Sequence, residues 1–181
     1  AFGWASWFQD KTKCIASAEY GAHVIDTFLA LTGAEPTSVL ARAGRFCRDF
    51  EQDDVTTILI NFKDGRYLQM NINWVLKEKW GHAFQRWDLV CKNGVILHDW
   101  SAARWSGDQG KGEYVSPRQA TQGSRWEHYD QLAEAIDIGG SVSPNERDGL
   151  AYMRIVDAAT LSIKTGQTVF LGDTKEKGRL R

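Results

Sequence analysis

The sequence contains few of the residues that stabilise small disulfide-bonded or zinc-binding proteins. Its 181 residues include only three cysteines and three prolines. The cysteines (Cys14, Cys47 and Cys91) are odd in number, and no pair has C-x-x-C spacing. This argues against a disulfide scaffold and a structural zinc site, and it fits a reducing, cytoplasmic compartment.

An excess of one charge and a long hydrophobic run are also missing. Lys and Arg number 22 against 23 Asp and Glu, so the net charge is −1. We therefore predict no nucleic-acid binding, which needs clustered positive charge. No apolar run approaches the roughly 20 residues of a membrane span, so we expect no membrane association. No strand-like segment is followed by G-x-G-x-x-G, which argues against a dinucleotide fold within this chain.

Three segments have the apolar periodicity of helices. The first covers about residues 17–31. The second begins at the capping-box pattern of residues 124–127, and the third begins at a similar pattern in residues 143–146, with Pro144 at its first helical position. The third segment is apolar almost all round, which predicts a buried helix.

The rest of the chain reads mainly as β-structure with turns at Asp64-Gly65 and Asn93-Gly94. Residues 101–123, rich in Gly, Ser and Gln, are predicted as loop with at most one edge strand. The element order predicts an α+β fold, an open, mostly antiparallel sheet with its helices on one face. The predicted strands are 37–43, 55–62, 66–74, 84–92, 95–99 and 167–171.

One face of the predicted strand 66–74 is semi-polar and carries Tyr67, Gln69, Asn71 and Asn73. An uncovered sheet face of this composition suits a subunit or domain interface better than exposure to water. We therefore expect a homo-oligomer that assembles through this face.

The main candidate for chemistry is a polar group on the first helix. Glu19, His23 and Asp26 are spaced i, i+4 and i+7, which stacks them along one side of a helix. A carboxylate one turn from an imidazole suits a general acid or base. The alternative is a solvated polar flank. The other histidines share no spacing, so no metal site is predicted.

Eight tryptophans are many for this length. Trp80 and Trp105 lie in loop-like contexts, and both are candidates for stacking on sugar rings or for anchoring a protein interface. Packing within the sheet is the alternative for most of the others.

Several segments, taken together, resemble the glucose–fructose oxidoreductase/inositol dehydrogenase/rhizopine-catabolism (Gfo/Idh/MocA) family. Residues 19–26 (E-Y-G-A-H-V-I-D) and 28–36 (F-L-A-L-T-G-A-E-P) resemble its D-x-G-x-H-x-x-D…L-x-G-x-P segment. The resemblance runs from about residue 7 to 171. Further matching segments are 54–65, 89–97, 128–138, 145–148 and 157–169.

The resemblance implies a C-terminal substrate and oligomerisation domain over residues 1–171, followed by a charged tail at 172–181. Its fold would be of the glyceraldehyde-3-phosphate dehydrogenase-like C-terminal type. The family's N-terminal Rossmann domain, which binds NAD or NADP, is absent here, so we expect this piece of a longer chain to be inactive alone. The implied substrate is a sugar, a polyol or a related hydroxy compound.

The resemblance also assigns roles to individual residues. His23 corresponds to the family's acid–base histidine and Glu19 to its usual aspartate. Apart from the resemblance, Asp26 on the same helix and the two tryptophans Trp80 and Trp105 are our candidates for substrate binding. The glycine run that normally precedes this segment reads Lys-Cys-Ile-Ala at residues 13–16. Because of these departures, a non-catalytic dimerisation module that binds carbohydrate or protein stays open as the alternative, and a purely structural scaffold is a third reading.

Overall fold

The structure is a computed structural model that describes residues 16–46, 51–73, 86–99, 102–115 and 120–172, with side chains described from residue 21 and, in the second helix, from residue 129. The chain divides into two compact units, Ala1–Lys77 with Ser143–Arg181, and Glu78–Val142. In chain order the elements are α1 (Ala16–Thr32), β1 (Pro36–Gly44), β2 (Val55–Phe62), β3 (Tyr67–Asn73), β4 (Trp87–Cys91), β5 (Gly94–His98), β6 (Ala102–Gly107), β7 (Gly110–Val115), α2 (Ala120–Ile138), α3 (Glu146–Thr165) and β8 (Val169–Phe170).

The first unit is built on a four-stranded antiparallel sheet in the order β3-β2-β1-β8. Its strands alternate between a buried and a more exposed face, as in β3, where Met70 and Ile72 are buried while Asn71 and Asn73 are exposed. The β2–β3 hairpin turns at Gly65, whose φ of 85° favours glycine. The predicted alternation of β3 is therefore confirmed.

Helix α1 packs on the buried face of this sheet and contacts β3 and α3. Ile25 is its most deeply buried side chain, 1% exposed, within the main apolar cluster. Gly21 approaches β3 so closely that a Cβ there would lie 3.2 Å from the Met70 Cε. The rings of Phe28 and Phe62, 5.0 Å apart, extend the contact.

Helix α3 begins at a capping box whose N-cap is Asn145, two residues later than the predicted Ser143. Asn145 is the N-cap and accepts a hydrogen bond from the Arg147 N–H, while the Asp148 carboxylate accepts from the Asn145 N–H. Pro144 therefore precedes the cap and is not the first helical residue. The helix ends at Gly166 in the left-handed conformation.

Only one side of α3 is buried, contrary to the prediction of a helix that is buried all round. Ile155, Ala158 and Ser162 face the core, whereas Leu150 and Met153 are exposed. The Ser162 hydroxyl accepts from the Ala41 N–H at 2.8 Å and donates to the Gln167 carbonyl at 2.6 Å. Because β8 pairs with only two residues of β1, this hydroxyl satisfies a sheet-edge N–H that would otherwise be buried alone.

The second unit contains a separate four-stranded antiparallel meander in the order β4-β5-β6-β7, together with α2. Residues 102–115 form the hairpin β6–β7, so the predicted loop over 101–123 is wrong there. Helix α2 begins at Ala120, so the predicted cap at Ser124 lies inside the helix. The predicted α+β class with open antiparallel sheets is confirmed, although the strands divide between two sheets.

Candidate functional site

Helix geometry places the predicted polar group on the side of α1 that turns away from the sheet. At about 100° per residue, positions 19, 23 and 26 lie roughly 100° to 160° around the helix axis from Ile25. The exposure of the described side chains increases with this angle from Ile25. Ile25 itself is buried, Asp26 is half-buried and His23 is exposed. The structure therefore places His23 and Asp26 on one stripe, as predicted.

The His23 imidazole is available to a ligand. Within the described residues no hydrogen bond or ion pair engages this side chain. Its backbone carbonyl accepts a hydrogen bond from the Thr27 hydroxyl at 2.6 Å, one turn later. The packing of Ile25 and Gly21 against the core holds this turn of α1 in place. A fixed backbone that carries a free, exposed imidazole can present a proton donor or acceptor to a bound hydroxyl or carbonyl.

Two other predicted site residues cannot be placed. The Glu19 backbone belongs to α1, one turn before His23, but its side chain lies outside the described part of the structure. Trp80 lies outside the described residues altogether. The roles of both residues stay predictions.

Trp105 belongs to the second unit, on β6, and is 46% exposed. It faces Gly112 across the β6–β7 pair. A Cβ at Gly112 would lie 2.1 Å from an atom of the Trp105 ring, so the indole lies against the glycine backbone. Trp105 and His23 therefore belong to different compact units, and the predicted part of Trp105 in substrate binding stays a prediction.

A buried polar cluster lies at the β1–β2 connection, and no motif in the sequence indicates it. Asp54 is fully buried and accepts a hydrogen bond from the Phe46 N–H at 2.9 Å. Burial raises the pKa of the neighbouring Asp53, and the Asp54 carboxylate raises it further while Arg45 lowers it. Because Asp54 also bonds through its N–H to the Gly44 carbonyl, the cluster closes this connection. No spacing in the sequence distinguishes such a residue from an exposed acid.

The described residues do not fit the pyrophosphate of a nicotinamide dinucleotide. Every strand pair in the two sheets is antiparallel, and no described strand passes through a glycine-rich turn into a helix. The usual dinucleotide site is built on parallel strands and on a glycine-rich turn that leads from a strand into a helix. In the described ranges no group of three or more His, Cys, Asp or Glu side chains is arranged to hold a metal ion. None of the described helices combines the length and apolar character needed to cross a membrane.

Comparison with known proteins establishes the family. The sequence profile of the GFO/IDH/MocA C-terminal domain matches residues 3–97, just over half of the chain. The chain therefore belongs to this family of oxidoreductase C-terminal domains, and the resemblance found in the sequence is confirmed. No curated protein sequence matches the chain.

Solved structures share the fold. An oxidoreductase from Agrobacterium radiobacter in complex with NAD+, L-tartaric acid and magnesium has a TM-score of 0.74 at 20% identity, over 86% of this chain and 49% of that one. Levoglucosan dehydrogenase in complex with NADH and levoglucosan scores 0.79 at 19% identity, over 92% and 53%. Aldose–aldose oxidoreductase from Caulobacter crescentus, complexed with glycerol, scores 0.67 at 21% identity, over 83% and 45%. The chain thus spans about half the length of these structures.

Proposed function

We propose that the complete protein is an NAD(P)-dependent oxidoreductase that acts on a sugar, a polyol or a related hydroxy compound. This chain would be its C-terminal substrate-binding and oligomerisation domain, in a cytoplasmic enzyme. The observation that carries the proposal is the exposed His23 on α1, in the segment that resembles the family's acid–base helix. The ligands named for the similar structures, levoglucosan, glycerol and L-tartaric acid, all carry hydroxyl groups and support a hydroxy compound as substrate.

In this proposal the chain supplies proton transfer and substrate positioning. The His23 imidazole takes the proton of a substrate hydroxyl during oxidation and returns it to the carbonyl during reduction. The half-buried Asp26, on the same stripe, accepts a hydrogen bond from the substrate or orients the imidazole. Glu19, one turn earlier, would act in the same way. Redox chemistry requires a nicotinamide cofactor held outside the described residues, so we expect this chain alone to be inactive.

The proposal is tested by a reduction assay of the complete protein with NAD+ and with NADP+. The substrate panel contains D-glucose, levoglucosan, myo-inositol, glycerol and L-tartrate, and a reaction without substrate is the control. We expect reduced nicotinamide to accumulate with at least one member of the panel and with one of the two nucleotides. A complete protein that binds neither nucleotide and reduces neither with any member would overturn the proposal.

The second half of the proposal concerns the open face of the first sheet, which we define as the described residues of β1, β2, β3 and β8 that point away from α1. Arg42 is its one charged side chain, and it donates to the Gly166 carbonyl at 2.7 Å. Thr57 donates to Asn71 at 2.6 Å, so neutral polar groups are already ordered. The open face consists of Ser38, Leu40, Arg42, Gly44, Val55, Thr57, Leu59, Asn61, Tyr67, Gln69, Asn71, Asn73 and Phe170.

A face with so little charge suits contact with a second copy of the chain. In a two-fold assembly every substitution acts twice, so Asn71→Arg would bring like charges together in the interface. We expect this variant to raise the dissociation constant at least tenfold, measured by light scattering over a dilution series of the chain. Asn93→Arg, in the β4–β5 turn, is the matched control and should leave the mass unchanged. A wild-type chain that is monomeric at every concentration would contradict the proposed interface.

A further inference from the structure

The second sheet separates its charged side chains from its aromatic ones. Strand pairing aligns Asp88, Arg104 and Glu113 on one face, where Arg104 contacts Glu113 at 2.6 Å. Lys111 falls on the same face because it is two residues from Glu113. All charged residues of the four described strands thus lie on this side. The opposite side, here called the aromatic face, carries Trp87, Leu89, Ile96, His98, Ala103, Trp105 and Tyr114.

One row of the aromatic face crosses all four strands. Trp87 pairs with His98, His98 with Ala103, and Ala103 with Tyr114. The Trp87 and His98 rings stack with centroids 4.5 Å apart and planes 18° apart. His98 Nδ1 is shielded from solvent and has no hydrogen-bond partner in the described part of the chain, so stacking holds this ring. The row places the small Ala103 between His98 and Tyr114, which is 60% exposed.

The next row adds a third large side chain next to the small Ala103. Trp105 lies two residues along β6 from Ala103, and its partner in β7 is Gly112. A Cβ at Gly112 would meet three indole atoms at 2.1 to 2.7 Å, so only glycine lets the ring lie against the β7 backbone. The indole therefore contacts the β7 backbone and is still 46% exposed.

We propose that the aromatic face binds a neutral saccharide, with a pyranose ring seated over Ala103 and packed on Trp105 and Tyr114. The C–H bonds of a pyranose form weakly apolar faces that pack on aromatic rings, while its hydroxyls stay hydrated at the rim. With no charged side chain among its described residues, the face has no group that could pair with a phosphorylated or acidic sugar. The proposal rests on the second sheet alone and not on the proton chemistry proposed for His23.

The test is titration of the 181-residue chain with three neutral disaccharides, cellobiose, maltose and N,N′-diacetylchitobiose, followed by tryptophan fluorescence and calorimetry. At least one should bind, and Trp105→Ala should weaken its binding about tenfold, the scale of a single aromatic contact. Phe46→Ala is the matched control, because Phe46 is also exposed and also lies against a glycine, Gly44, in the first unit. The Phe46→Ala variant should bind the disaccharide with the affinity of the wild-type chain.

Two further variants keep the outcome decisive. Gly112→Val should displace the indole and weaken binding as Trp105→Ala does, whereas Tyr114→Ala removes an exposed ring with little risk to folding. Circular dichroism checks that each variant is folded. If Trp105→Ala and Gly112→Val are unfolded, the saccharide affinity of Tyr114→Ala alone tests the proposal. The absence of binding to all three disaccharides would overturn the proposal. Binding that neither Trp105→Ala nor Tyr114→Ala weakens would also overturn it. A change in oligomeric mass with no change in sugar binding would instead make this face a contact between copies. The outcome of the nucleotide-reduction assay, which tests the proposed oxidoreductase function, does not depend on any of these binding results.

Discussion

Replacing His23 by alanine in the complete protein is expected to lower turnover at least a hundredfold, the usual contribution of a positioned general acid or base, about 10²–10⁴. Alanine cannot exchange a proton with the substrate. His23 lies on the exposed side of α1, so its removal leaves the core contacts of Ile25 in place. The loss should therefore come from chemistry and not from unfolding.

Steady-state kinetics over a range of pH measures this effect, with the substrate and nucleotide identified in the reduction assay. The variant should change the shape of the pH–rate profile, which a purely structural role would leave unchanged. Thr27→Ala is the control, because it alters the next turn of the same exposed surface without removing an acid or base. Near-wild-type turnover in His23→Ala would exclude His23 from the mechanism and favour the non-catalytic reading of the domain.

The parts of the fold that were predicted well have strong local signals. Strand β2 covers residues 55–62 as predicted, and β3 differs from its prediction by one residue at each end. Alternating burial and a D-G turn determine both strands within a few residues of chain. The stripe on α1 was also predictable, since the positions of His23 and Asp26 follow from helical periodicity alone.

The parts that were missed depend on contacts between distant residues. Gly107, Gly110 and Gly112 lower the strand propensity of residues 102–115, yet Gly112 provides the space that the Trp105 ring occupies. At α3 two overlapping capping patterns compete, and the reciprocal bonds of Asn145 and Asp148 form. The exposure of one side of α3 could not be predicted either, because an apolar pattern does not show which side of the helix packs against the core.

The grouping of Trp105 with His23 could not be judged from the sequence for a related reason. The two residues belong to different compact units, and periodicity carries information only within one element. What the sequence could supply was the chemical character of each residue, an ionisable side chain on a helix and an aromatic ring in a glycine-rich stretch. The neighbours of Trp105 on the aromatic face became apparent only from strand register.

Ile25→Ala is expected to destabilise the first unit by about 2–5 kcal/mol, the range for truncating a large apolar side chain in a packed core. Ile25 is 1% exposed and joins α1 to the apolar cluster that contains Ile60 and Ile155. Its loss removes methyl contacts and leaves a cavity beneath the turn that carries His23. Leu31→Ala is the matched control, since it removes as many carbons from the same helix at a position that is 63% exposed. It should change stability by less than about 0.5 kcal/mol.

Amide hydrogen exchange of β2 reads this effect from the first unit alone, whereas urea unfolding of the whole chain would combine two units. The Ile25→Ala variant should lose protection across β2 by the factor that corresponds to its loss of stability, about tenfold for each 1.4 kcal/mol. Amides of β5, in the second unit, should exchange at the wild-type rate. Equal protection of β2 in Ile25→Ala and Leu31→Ala would mean that α1 does not depend on Ile25 for its position. The fixed presentation of His23 would then lose its physical basis, because the turn that carries it would not be held by the core.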